Sequence, residues 1–151
     1  MIESHDYEIE IVSTGVRSGV LDSEEDRLPS LYVASPPEFG GPEGVWSPEH
    51  LFVASVASCL MTTFRAMADL SKLEVVEYTD SAIGHLQRGG DRLYSIDRIT
   101  LRPRVIVGTD DDLDKAEKLL RKAEEVCLIS RSVKCEITME GQVLVAHKVG
   151  R

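Results

Sequence analysis

The feature that most constrains this fold is the stretch from Trp46 to Arg65. It opens with a helix-start signal: Ser47 is suited to accept from free backbone N–H groups as N-cap. Pro48 takes the first helical position, where its missing donor does no harm, and Glu49 favours the positive end of the helix dipole. The residues that follow are small or apolar on nearly every face, and a helix apolar all round is expected to be buried all round. The run reads as too short and too rich in serine and threonine to span a membrane. The expectation is a central helix reaching to about Leu70, wrapped by the rest of the chain, with Cys59 in its middle.

Around this helix the chain alternates short strand patterns with turns. Tyr7, Ile9 and Ile11 alternate with Glu8 and Glu10, the pattern of a half-buried strand. Residues 14–19, with glycine near both ends, form a hairpin turn that carries Arg17; Val20–Leu21 and Leu31–Val33 continue as strands. Residues 35–44 are dense in proline and glycine and read as a loop. Leu73–Leu86 reads as one strand and Arg88–Asp91 as a hairpin turn. Ile99–Val107 reads as a further strand, with Pro103 marking an edge or bulge. Asp110–Asp112 crowd the start of a second helix, whose apolar stripe is Leu113, Ala116, Leu120, Ala123 and Cys127. Cys135, Ile137 and Met139 alternate in a final strand that turns at Gly141 toward Val143 and Val145. The order predicts an α+β fold, an antiparallel sheet wrapped around two long helices, in a single domain over residues 1–151.

A net charge of −9 argues against binding a phosphate backbone, so nucleic acid is not an expected partner. The opening residues have neither a basic segment nor an apolar run, so no signal peptide is expected. Three cysteines without a C-x-x-C pair exclude a disulfide scaffold and a four-cysteine zinc site, and reduced thiols in the cytoplasm fit best. His5, His50, His85 and His147 lack metal-ligand spacing, and no metal or cofactor is expected. Phosphate-cradling glycine loops and a nucleophilic serine elbow are both missing. The thiols remain. Cys135 follows its strand alternation and reads as a small core residue. Cys59 and Cys127 lie on the faces of two helices that can pack together, an arrangement suited to a reversible dithiol–disulfide couple if their Cα atoms come within roughly 4.4–6.8 Å.

Four segments in register resemble the OsmC/Ohr family, the osmotically inducible and organic hydroperoxide resistance proteins. They are Thr14–Arg17, the Gly40–Gly41 loop, Ser47–Glu49 followed by the run to Cys59, and Glu124–Cys127 followed by Ser130. The resemblance implies a homodimeric, intertwined cysteine-dependent peroxidase that reduces organic hydroperoxides. By the same resemblance Cys59 is the peroxidatic thiol and Cys127 the resolving one. Arg17 is then the cation beside the thiolate, and Glu49 the carboxylate that positions the arginine. The chemistry needs such parts: only the thiolate is nucleophilic, and burial in an apolar helix works against it. The donor that reopens the disulfide is implied to be a dithiol protein, lipoylated or thioredoxin-like. Apolar Leu51, Phe52, Leu60 and Met61 are expected to line the pocket and favour alkyl peroxides. Many relatives carry proline directly after the second cysteine, where this chain has Leu128, and Cys135 is an additional thiol.

Glu49 and Cys59 are ten residues apart, about 15 Å on one straight helix, so they cannot share a site within it. Either the helix is broken between them or the glutamate reaches the cysteine from another chain, and the expectation is that Arg17 and Glu49 of one subunit serve Cys59 of the other. Two further readings stay open, a binder of an apolar ligand on the same fold and a redox sensor switched by a Cys59–Cys127 disulfide. The enzyme requires Arg17 and Glu49 near the thiolate; the binder does not.

Overall fold

The computed structural model describes residues 3–23 and 27–148, so the ends of the expected 1–151 domain lie outside the described residues. The chain divides into two compact units, Met1–Leu51 and Phe52–Arg151.

In the N-terminal unit β1 (Glu10–Gly15), β2 (Ser18–Asp22) and β3 (Leu31–Ala34) form an antiparallel sheet in that order. The glycine-flanked turn closes the first hairpin as expected: Gly15 pairs with Ser18, leaving Val16 and Arg17 at the tip. The first strand begins later than the Tyr7–Ile11 alternation suggests, and its expected half-burial is not seen. Every residue of β1 is exposed, as are Tyr7 and Ile9. Alternation marks a face able to be buried; it does not supply the surface that covers it. The proline- and glycine-rich loop contains one 3₁₀ turn, Pro37–Phe39, closed by Gly40 at φ 78°.

Helix α1 (Pro48–Leu70) starts and stops where the sequence indicates. The Ser47 hydroxyl accepts the His50 N–H at 3.3 Å, satisfying a donor that the helix leaves free. At the other end the Leu73 N–H reaches the Ala68 carbonyl and the Lys72 N–H the Asp69 carbonyl, both at 2.9 Å. This is a Schellman ending, with Lys72 in the left-handed region at φ 53° where glycine is usual.

The expectation of all-round burial is corrected. Only the stripe Val56, Leu60, Phe64 and Ala68 is buried, four residues spaced one turn apart, while Met61 and Leu70 are exposed. At 23 residues the helix is also long and apolar enough, by length and composition, to cross a membrane, contrary to the expectation of too short a run. Its buried stripe belongs to the core of the C-terminal unit.

That unit holds two three-stranded sheets, ordered β4-β7-β9 and β5-β6-β8. Their strands are β4 (Val75–Asp80), β5 (Ile83–Arg88), β6 (Tyr94–Leu101), β7 (Pro103–Val107), β8 (Glu136–Met139) and β9 (Gln142–Val145). Two long strands read from the sequence are thus four shorter ones. The segment Leu73–Leu86 breaks between β4 and β5, and Ile99–Val107 breaks at Arg102. There the Arg102 N–H leaves the ladder and donates to Asp80 Oδ1 at 2.8 Å. Pro103, which has no N–H to give, opens β7 as its first residue; β7 is the central strand of its sheet, not an edge.

The α+β class holds, with mixed pairing in both sheets. β6–β8 and β7–β9 are parallel, because α2 (Leu113–Val126) and the short α3 (Leu128–Ser132) carry the chain back across before β8. The core joins the α1 stripe to Ile99 and Leu101 of one sheet, Val105 and Val107 of the other, and the α2 stripe Ala116, Leu120 and Ala123.

Candidate active site

Cys59 sits beside the buried α1 stripe and is itself half-buried. Opposite it, α2 ends at Val126 and the chain restarts as α3 at Leu128. Cys127 is the hinge between them, with φ −57° and ψ 115°, and it is fully buried. Having left the helix, its carbonyl accepts the Arg131 N–H at 3.1 Å and opens the next turn. This break turns the Ile129 N–H onto the Cys59 sulfur at 3.5 Å. The Cys59 sulfur thus lies against the junction that carries Cys127, with the Cys127 thiol as a neighbour, and both are free thiols.

The electrostatics of the pair are asymmetric. Burial opposes ionisation of Cys59, but the Ile129 N–H, the Cys127 thiol, the Thr63 hydroxyl and the Leu128 N–H together outweigh it. The Cys59 thiol is held below its ordinary pKa. Burial pushes Cys127 the other way, and the neighbouring Cys59 adds to this; Ser130 offsets part of it. The two shifts run in opposite directions, Cys59 toward its anion and Cys127 toward its thiol. Cys135 is raised by burial, with Asp97 adding to it, and packs against the core. Among the described residues nothing joins Cys135 to either member of the pair.

Arg17 and Glu49 belong to the N-terminal unit. The Arg17 guanidinium donates to the Phe39 carbonyl in the 3₁₀ turn, and the Arg17 carbonyl accepts the Ser35 N–H at 2.9 Å. This accounts for the two glycines of the loop. A side chain on Gly40 would strike the guanidinium, and one on Gly41 would overlap the Ser35 carbonyl. Arg17 also lines a cleft of about 340 Å³ with Ile11, Ser13, Val33, Ser35 and Pro48. Glu49, in the first turn of α1, is half-buried. Its Oε2 is shut away from solvent with no hydrogen-bond partner among the described residues. Among those residues no ion pair joins Arg17 to Glu49.

Of the apolar residues expected to line a substrate pocket, Leu60 is sealed in the core and so forms no pocket wall; Met61 is exposed. The histidines keep ordinary neighbours: His50 the Ser47 hydroxyl at 2.8 Å, His85 Asp97 at 2.8 Å, His147 Asp110 at 3.4 Å, and His5 the edge of Tyr7. Thr63, Leu128 and Ile129 are absent from the site as read from sequence. Thr63 had a signal, since it lies one turn from Cys59 on the same face. The two N–H groups had none, because every residue except proline carries one.

The family model for OsmC-like protein matches residues 41–141. A curated relative, organic hydroperoxide resistance protein-like 2 of Staphylococcus saprophyticus, is 30% identical over 147 residues, covering 92% of this chain and 96% of its own length. Among solved structures, the OsmC-like protein of unknown function VCA0330 from Vibrio cholerae superposes with a TM-score of 0.78. It is 24% identical, and the match covers 91% of this chain and 100% of that one. An organic hydroperoxide resistance protein OsmC from Legionella pneumophila superposes with a TM-score of 0.70 at 25% identity, covering 94% of this chain and 98% of that one.

Proposed function

The chain belongs to the OsmC-like family, and from that premise we propose that it is a cytoplasmic, cysteine-dependent peroxidase that reduces organic hydroperoxides to alcohols. The observation that carries this reading is the thiol pair: a half-buried Cys59 held toward its anion, facing a fully buried Cys127 held as the thiol. The names of the relatives from Staphylococcus saprophyticus and Legionella pneumophila support the substrate class. Both units are read as parts of one family domain over residues 1–151.

The steps follow from the two charge states. The Cys59 thiolate attacks the distal peroxide oxygen, the O–O bond breaks, and an alkoxide leaves that takes a proton to become the alcohol. Cys59 is now a sulfenic acid. The Cys127 sulfur attacks it, its proton combines with the departing hydroxide as water, and a Cys59–Cys127 disulfide remains. A dithiol donor, lipoylated or thioredoxin-like, reduces the disulfide and is itself oxidised. Arg17 supplies positive charge for the thiolate and the leaving oxygen, and Glu49 orients the guanidinium.

Ten residues of helix separate Glu49 from Cys59, about 15 Å of rise. We therefore assign Arg17 and Glu49 of one subunit to Cys59 of its partner in a homodimer. The exposed apolar residues of the N-terminal sheet, among them Ile11, Val12 and Tyr32, support such a partner.

The test is consumption of cumene hydroperoxide with dihydrolipoamide as donor. Wild type is expected to turn over, Cys59→Ser to be inactive, and Cys127→Ser to stop after one equivalent. Absence of consumption by wild type would leave a binder, and a single stoichiometric oxidation of wild type a sensor; either result overturns the enzyme.

A further inference from the structure

Cys127 differs sharply in exposure from the residues on either side of it. Val126 is 41% exposed and Leu128 66%, while Cys127 between them is 0% exposed. The α2–α3 junction therefore runs along the surface of the C-terminal unit with one side chain turned inward, and that side chain carries the sulfur. Cys59 is half-buried; the Ile129 N–H reaches its sulfur at 3.5 Å from the junction, and an open side remains. A partner subunit can only bury Cys127 further, whereas any assembly that admits a peroxide keeps a path to Cys59.

We propose that the dithiol donor attacks the disulfide at the Cys59 sulfur, so that the mixed disulfide forms on Cys59 and Cys127 is the sulfur that leaves. The proposal rests on the reading of Cys59 and Cys127 as the redox pair. Thiol–disulfide exchange needs the incoming thiolate on the far side of the attacked sulfur, in line with the S–S bond. For Cys127 that far side is protein interior; for Cys59 it is the open side that the peroxide also uses.

The donor's first thiolate bonds to Cys59 Sγ as the Cys59–Cys127 bond breaks. The electron pair goes to the Cys127 sulfur, which takes a proton. The donor's second thiolate then attacks the donor sulfur of the mixed disulfide. Cys59 leaves with that bond's electron pair as a thiolate, and the donor departs as its own cyclic disulfide, the oxidised product. Leaving-group ability opposes the first step, because burial makes Cys127 the poorer leaving group. Access decides it, since a sealed sulfur offers no line of attack. Once protonated, Cys127 is slow to attack back, and the second step expels Cys59, the better leaving group of the two.

The experiment oxidises the full-length wild-type protein with diamide, which makes the disulfide without a peroxide. It is then mixed with dihydrolipoamide carrying one methylated sulfur, a donor that completes the first step and not the second. Exchange is stopped with acid at early times, free thiols are alkylated with N-ethylmaleimide in denaturant, and peptides are read by mass spectrometry. Arg131 and Lys134 put Cys135 on a tryptic peptide separate from Cys127. The donor is expected on Cys59 in about tenfold excess over Cys127, with maleimide on Cys127. Donor found mainly on Cys127, or equally on both sulfurs, overturns the proposal and leaves the peroxidase standing. A protein that forms no Cys59–Cys127 disulfide overturns both.

Discussion

Cys59 meets the α2–α3 junction through the Ile129 N–H at 3.5 Å, a group that no side-chain pattern announces, and the adjacent Leu128 N–H also favours its anion. The sequence places leucine where many relatives have proline, which raises the question of whether the turn differs. The observed backbone gives the answer. Cys127, at φ −57° and ψ 115°, already has the extended geometry that a following proline would impose, and Leu128 stands at the first position of α3, where proline is welcome. The turn would accept proline; the sulfur would lose a donor. Leu128→Pro is therefore expected to leave the thermal midpoint near wild type while raising the pH at which Cys59 alkylates. At the same scale the three thiols should separate by pH. Cys59, lowered by its donors, loses reactivity only as pH falls through a midpoint below that of an ordinary thiol. Cys127 and Cys135, raised by burial, gain reactivity only above that value. Mass spectrometry of alkylated peptides across pH 5–10 reads all three, and a Cys59 that labels no earlier than the others contradicts the assignment.

Among elements, α1 shows most clearly what a local pattern carries. Its start at Pro48 and its end near Leu70 were legible because caps are local chemistry: Ser47 holds the His50 N–H, and the Schellman bonds close the far end. Lys72 holds the left-handed position there without the freedom of glycine. Lys72→Gly is expected to stabilise the protein by about 1 kcal/mol in denaturant titration. The burial of the helix was not legible in the same way, since apolar content states what a face tolerates and not what lies against it. The strands make the complementary case. Pro103 signals an irregularity in the long strand but not its division at Arg102, whose N–H the Asp80 carboxylate takes. A pairing rule read from neighbouring strands also missed the parallel contacts of β8 and β9, which the helical crossover makes possible.

At the scale of the molecule, the N-terminal unit has little core of its own and exposes Ile11, Val12, Val16 and Tyr32. A homodimer is expected by sedimentation, with peroxidase activity falling on dilution below its dissociation constant. Mixing tests the proposed exchange of residues. Arg17→Ala and Cys59→Ser homodimers should each be nearly inactive. Refolded together in equal amounts, they should recover about a quarter of wild-type activity, because half the dimers are mixed and each mixed dimer has one complete site. If arginine served the cysteine of its own chain, mixing would restore nothing.

What the amino-acid order determined by itself was the α+β class, the two long helices with their ends, the Arg17 hairpin, and Cys59 and Cys127 as the thiols to compare. Each depends on residue type and spacing along one element. What only the tertiary structure decided was which sulfur is favoured toward its anion and which is disfavoured, where the strands divide, and how little of α1 this chain covers. Those outcomes depend on N–H groups, hydroxyls and apolar faces brought together from distant parts of the chain, and a backbone donor carries no identity until the fold aims it.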